Sequence, residues 1–193
     1  MISGRELAYG LVGAWRLIRN DPGGVQYFDR SPSGALRSFW AMALVAPAFA
    51  VLLMMGLHKV GVDQIGLRQV LLGGGIYVIN WLLFPVMLLR LAPKLGREQE
   101  VATYIAANNW AQILIAAVSL FLGAVAATMP KSIGEMLDLA LLALIALMQY
   151  RLLRHAMALN PPQAGLLVFA YLCLDIAASL ALFGLLVPGK LAA

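Results

Sequence analysis

The chain has 193 residues, of which 62% are hydrophobic and only 12% charged, and its net charge is +5. Soluble domains carry about 25% charged residues, so this composition excludes an ordinary soluble domain; the deficit runs the whole length and describes one membrane domain. The Lys and Arg residues sit at the ends of apolar stretches and not on a basic, aromatic-interleaved surface, so topology and anionic headgroups explain the charge and nucleic acid does not.

In chain order, residues 3–20 read as an amphipathic helix. At 100° per residue Leu7, Leu11, Trp15 and Ile18 share one face, and Arg5, Arg16 and Arg19 lie across from it. The pattern predicts an interfacial helix with Trp15 in the lipid and Arg16 and Arg19 facing phosphate. No signal-peptide cleavage site is expected, because Arg16, Arg19, Asn20 and Asp21 follow the short apolar run. Asp21-Pro22-Gly23-Gly24 predicts a turn, and Ser31-Pro32 predicts a helix N-cap with proline at the first helical position.

Five apolar stretches follow, at about residues 38–57, 69–89, 108–129, 133–153 and 164–187. A helix rises 1.5 Å per residue, so about 20 apolar residues cross a hydrocarbon core of ~30 Å. Pro47 and Pro85 predict kinks in the first two spans, and Gly73-Gly74-Gly75 permits close helix approach. At the start of the third span, where Trp110 marks the interface, Asn108 and Asn109 are expected among the headgroups, because the charge-free run there is too long for one perpendicular crossing; they either bond the helix end or contact a headgroup or partner. Ser132-Ile133-Gly134-Glu135 matches a capping box, which predicts a fourth helix from Ile133 that crosses fully. Asn160-Pro161 repeats the N-cap arrangement before the fifth.

Counted over alternate segments, Lys plus Arg splits ten against four. The positive-inside bias then predicts a cytoplasmic N-terminus and an external C-terminus. Trp15, Trp40 and Trp110 all fall near the same predicted interface.

Asp175 is the most informative residue, lying midway along the fifth span. An aspartate at a helix centre costs about 2.5–3.5 kcal/mol on insertion scales, and no cation is predicted at its depth. Asn80 and Ser119 are central in the second and third spans, with Gln112 about two turns nearer the cytoplasm. Together these predict an intramembrane polar centre that either titrates or binds a ligand, or else clamps the helices by hydrogen bonds.

Catalytic motifs are missing. The sequence has no H-E-x-x-H, no P-loop and no G-x-S-x-G elbow. His58 and His155 are expected on opposite sides of the membrane. Cys173 sits inside the fifth stretch without a partner for an intrachain disulfide.

The layout resembles the Yip family, the Ypt-interacting membrane proteins and their bacterial relatives, through a polar, proline-interrupted lead into the first span (Phe28-Asp29-Arg30-Ser31-Pro32) and an Asn109-Trp110 pair in the third. That resemblance implies a cytoplasmic N-terminal segment, five closely spaced spans and an external C-terminus. The eukaryotic members' Asp-Leu-Tyr-Gly-Pro and Gly-Tyr-Gly-Leu-Pro motifs are absent, so their trafficking and small-GTPase roles are not carried over. The compact loops and arginine bias suggest a bacterial inner membrane.

The expected fold is therefore all-α: a polytopic membrane bundle of five transmembrane helices plus an N-terminal amphipathic interfacial helix. Residues 1–34 form the interfacial segment and 35–193 the transmembrane domain. The expected function is a non-enzymatic inner-membrane scaffold, assembly or membrane-organising factor, acting through lipid and helix–helix contacts as a homo-oligomer or in a membrane-protein complex. The alternative is a small oligomeric transporter or channel with Asp175 as titrating group and Asn80 and Ser119 on the path. A third reading is a lipid-headgroup enzyme using Asn108, Asn109 and Gln112. No cofactor, metal or nucleic-acid partner is expected.

Overall fold

A computed structural model describes residues 3–62 and 65–186, apart from the side chain of residue 183. Among these residues every regular element is helical. Helix α1 (Gly4–Ile18) starts where Ser3 Oγ accepts from the Glu6 N–H at 3.1 Å, which satisfies one of the orphan donors of the first turn. A 3-10 turn (Pro22–Tyr27) follows, capped by Asp21, whose Oδ1 accepts from Gly23 N–H at 2.9 Å. Helix α2 (Pro32–Ser38) has the expected cap: Ser31 Oγ accepts from Gly34 N–H at 3.1 Å. Phe39 joins it almost directly to α3 (Trp40–Lys59).

The remaining helices are α4 (Leu67–Leu95), α5 (Val101–Ala127), α6 (Lys131–Ala156) and α7 (Pro161–Leu186). Helix α4 ends at Gly96, whose left-handed φ of 63° lets Arg97 N–H donate back to Ala92 at 3.0 Å. Before α7, Asn160 Oδ1 accepts from Gln163 N–H at 2.9 Å, and Gln163 Oε1 accepts in return at 3.3 Å, a reciprocal cap. The capping box expected at Ser132–Glu135 does not form. Pro130, with its φ near −53°, starts α6 at Lys131, so Ser132 lies inside the helix and Glu135 pairs with Lys131 at 3.8 Å. Helix α3 runs through Pro47, and α4 through Pro85 and Pro93, without interruption. Of the triple glycine only Gly73 makes a close approach, to Leu53 of α3; Gly74 and Gly75 face open space.

Among the described residues, five helical segments are long and apolar enough to cross a membrane: Pro32–Lys59, Leu67–Leu95, Val101–Ala127, Lys131–Ala156 and Pro161–Leu186. The chain is a multi-pass helical membrane protein. Expected helix end points lie within about three residues of the observed ones except at α4, which ends six residues later than the predicted stretch, and at α5, which begins seven residues earlier. The fifth stretch was taken to 187, one residue outside those described.

Helix α5 is the hub. It packs against α1, α2, α3, α4 and α6. Helices α4 and α7 form an antiparallel pair, tied at one end by Arg68 Nη2 donating to the Leu185 carbonyl at 3.0 Å and further along by an edge-to-face contact of Phe84 with Tyr171. This pair meets α3 and α5 only lightly, which leaves a cleft between them.

The N-terminal helix departs from expectation. Its buried face is Gly10, Gly13, Ala14 and Leu17, set against α5, α6 and the 3-10 turn, while Leu7, Leu11 and Ile18 are half-buried. The small residues decide this geometry. A Cβ on Gly24 would meet the Gly13 carbonyl oxygen at 2.6 Å, so the turn and α1 touch backbone to backbone. Two contacts tie the end of α1 to α6: Arg151 donates to the Ile18 carbonyl, and His155 Nε2 lies 2.9 Å from Asn20 Oδ1. The segment 3–38 thus shares the hydrophobic core of the bundle.

Candidate functional site

The cleft between the α4–α7 pair and the α3–α5–α6 layer has a volume of about 330 Å³. All four residues expected at the polar centre line it: Asn80 from α4, Gln112 and Ser119 from α5, and Asp175 from α7. Asn108, Tyr171 and Ser179 add three further polar side chains. The opposite walls are apolar, with Val45, Phe49 and Leu52 from α3 and Ile145 from α6. Aromatic rings crowd one flank. Phe49 and Tyr77 lie 4.5 Å apart, Tyr77 meets Trp81 edge-on at 6.1 Å, and Phe84 meets Tyr171 at 5.1 Å.

Helical spacing explains why these residues converge. On α5, Asn108, Gln112, Ile115 and Ser119 follow at intervals of three or four and form one stripe; on α7, Tyr171, Asp175, Ser179 and Leu182 do the same. In lipid a polar side chain gains most by facing the protein interior.

Asp175 is the charged residue of the cleft. No Lys, Arg or His is among the described lining residues, and Asp175 makes no hydrogen bond or ion pair with any described residue. Its side chain is exposed at the cleft in the isolated chain. Asn80 Oδ1 is also buried without a hydrogen-bond partner.

No protein-family model, curated protein or solved structure matches this chain. The chemistry of the cleft is thus carried by its own residues.

Below the cleft a buried network extends along α5 toward α1. Tyr104 Oη donates to Gln149 Oε1 at 2.7 Å, and Gln149 Nε2 donates to Asn108 Oδ1 at 2.8 Å. Asn108 belongs both to this network and to the wall of the cleft. Tyr171 lies near Gln112, Gln149 and Asp175, at the junction of the two. Gln149 is 0% exposed and went unrecognised in the sequence, where its signal is one amide inside the apolar run of the fourth span.

The residues expected at the lipid–water boundary separate into two groups. Asn108, Asn109 and Trp110 do not face outward: all three are buried in protein, because α1, α2 and α6 surround the first turns of α5. Asn109 Nδ2 donates to Ser38 Oγ at 2.9 Å, and Trp110 is 3% exposed. Arg16 does not face outward to phosphate either. Its Nε donates to Asp21 Oδ2 at 2.6 Å and its Nη1 to Tyr27 Oη at 3.0 Å, locking α1 to the turn. Trp15 does point away from the protein, at 53% exposed, with Arg19 stacked over its ring at 5.8 Å. Together with Tyr9, Val12 and Arg5 they form an outward aromatic and basic face.

A second cleft, about 250 Å³, lies between α1, the turn and α2. Its charges are satisfied internally: Arg37 pairs with Glu6 at 3.0 Å and with Asp29 at 2.5 Å. Asp21 and Asp29 both titrate below the ordinary carboxylate range. For Asp21 the chief cause is the Arg16 hydrogen bond, then the Gly23 N–H. For Asp29 it is the Ser31 hydrogen bonds, then Arg37. Among the described residues no group of three His, Cys, Asp or Glu side chains is placed to hold a metal ion.

Proposed function

We propose that this protein is a small transporter that binds its solute in the cleft around Asp175. The observation that carries the reading is the convergence of Asn80, Gln112, Ser119 and Asp175, from three helices, on one cavity whose carboxylate has no partner among the described residues. A polar centre that served only to clamp helices would spend its hydrogen bonds between them, as Gln149 does with Tyr104 and Asn108. Asp175 does not. The light contact of α4 with α3 and α5 supports a cleft whose walls can separate. The proposed location is a bacterial cytoplasmic membrane with the α1 end inside, on the strength of the Lys and Arg bias.

The test is flux. Purified protein is placed in liposomes with a pH-sensitive dye inside, a potassium diffusion potential is imposed, and cationic, neutral and anionic small solutes are added outside in turn. Wild type should move protons or exchange them for one solute class, and Asp175→Asn should not. Equal flux in both would remove Asp175 from the mechanism.

A second reading, an oligomeric scaffold or assembly factor, draws on a different observation. Ala140 and Ala143 of α6, and Ala177 and Ala181 of α7, leave their small-residue faces unpacked in the single chain. Small residues let helix backbones approach closely in lipid. Cross-linking in native membranes that returned dimers, joined with absence of flux in wild type, would favour it.

A further inference from the structure

We infer that the cleft selects a small ammonium ion, a primary or secondary amine carrying an apolar group. This rests on the cleft being a binding site. Three features of its lining converge on that class. The first is charge: Asp175 is the ionisable acid of the lining, and no described lining residue is basic. An anionic solute would meet a carboxylate with no cation to offset it, whereas a cation would complete a pair inside a low-dielectric wall.

The second is hydrogen-bond polarity. The Asp175 carboxylate is an acceptor that lines the cleft and has no hydrogen-bond donor among the described residues. An ammonium N–H bonded to the Asp175 carboxylate supplies a charge-assisted hydrogen bond. A quaternary ammonium would supply charge without an N–H donor and leave the Asp175 carboxylate without a hydrogen bond.

The third is the aromatic flank. Tyr77, Trp81 and Phe84 of α4 line the cleft together with Tyr171. Ring faces attract a cation within about 6 Å and also accept an apolar tail. A volume of about 330 Å³ is at the lower end of small-molecule sites, about 300–1,000 Å³, which fits a compact molecule.

The experiment uses the full chain in lipid nanodiscs and two probes of nearly one shape. 2-Phenylethylamine is an ammonium at neutral pH; propylbenzene replaces the nitrogen with a methyl group. Binding is read by quenching of tryptophan fluorescence and, independently, by isothermal titration calorimetry. The amine should bind saturably, and Asp175→Asn should weaken it by about tenfold or more. Asp175→Asn is checked for an unchanged thermal melt, and Lys131→Ala, at an exposed side chain outside the cleft, is the control variant that should still bind. Equal binding of propylbenzene, or equal binding of the amine by Asp175→Asn, overturns the ammonium assignment while leaving a ligand-binding cleft. Binding of neither probe overturns the inference, and the flux assay then decides separately whether the cleft transports anything.

Discussion

The backbone of Gly10 rests against the indole of Trp110. A Cβ at position 10 would lie 2.5 Å from Trp110 Cδ2 and 2.7 Å from Cε2, so α1 and α5 meet at a distance that no other residue type at position 10 permits without displacement. This contact makes the N-terminal helix part of the core. Gly10→Ala should gain up to about 1 kcal/mol of helix propensity but overpack a buried, rigid ring at a cost of about 1–3 kcal/mol. The expected net effect is a lower melting temperature in detergent. In a Trp110→Leu background the same substitution should become neutral or stabilising, a coupling that a double-mutant cycle reads directly. A Gly10→Ala protein that melted at or above wild type would contradict the contact.

Asn109 and Ser38 test the buried polar join between α5 and α2. Asn109 is 0% exposed and gives its amide hydrogen to Ser38 Oγ, which in turn donates to the Ala35 carbonyl at 2.7 Å. Ser38→Ala leaves the Asn109 amide without its acceptor in a site closed to water. The expected loss is about 1–3 kcal/mol, the cost of an unsatisfied buried polar group. Asn109→Leu removes the stranded amide as well, so the double variant should lose less than the sum of the two. Additive losses would show that the two side chains do not depend on each other.

The acid limb of stability follows from Asp21 and Asp29. Both carboxyls are held below their ordinary range in the folded protein, Asp21 first by Arg16 and Asp29 first by Ser31. A depressed folded value means the folded state binds the proton less well than the unfolded chain. The stabilisation is thus fully present above the unfolded value, about pH 4, and is lost as pH falls through the lower folded values. Melting curves of wild type should decline below about pH 4, with α1 and the turn loosening first. Asp21→Asn with Asp29→Asn should melt lower at pH 7 and show a shallower decline. Parallel curves for the two proteins would mean that these pairs contribute nothing to the tether.

The sequence carries the membrane plan and the cleft for one shared reason: cost. A long apolar run is costly in water, and Asp175, Asn80 or Ser119 is costly in lipid, so each signals its own placement. Caps were legible at Ser31 and Asn160, where an N-cap side chain precedes proline. The docking of α1 was not. Periodicity weights large residues, and Leu7, Leu11, Trp15 and Ile18 pulled the expected face away from Gly10, Gly13 and Ala14, whose small size is what brings the backbones together. The same blindness hid the collar around α5. Val101–Ala107 carries no charge or turn residue to distinguish a segment wrapped by protein from one entering lipid, so Asn108 and Asn109 were assigned to the headgroups and Trp110 to the interface.

Asp175 also separates stability from activity. It makes no hydrogen bond or ion pair with any described residue, and it stands on a helix long and apolar enough to cross the membrane. A residue retained for folding would be expected to have a partner whose loss costs stability. Replacing an unpaired carboxylate with the isosteric amide removes a charge from a low-dielectric wall and strands nothing in return. Asp175→Asn should therefore melt at the same temperature as wild type or above it, while flux in liposomes is lost. Stabilisation on loss of function is the behaviour of a site residue kept at a cost to the fold. If Asp175→Asn instead melted several degrees below wild type, the carboxylate would have a structural partner, and its role as the solute-binding group would lose its main support.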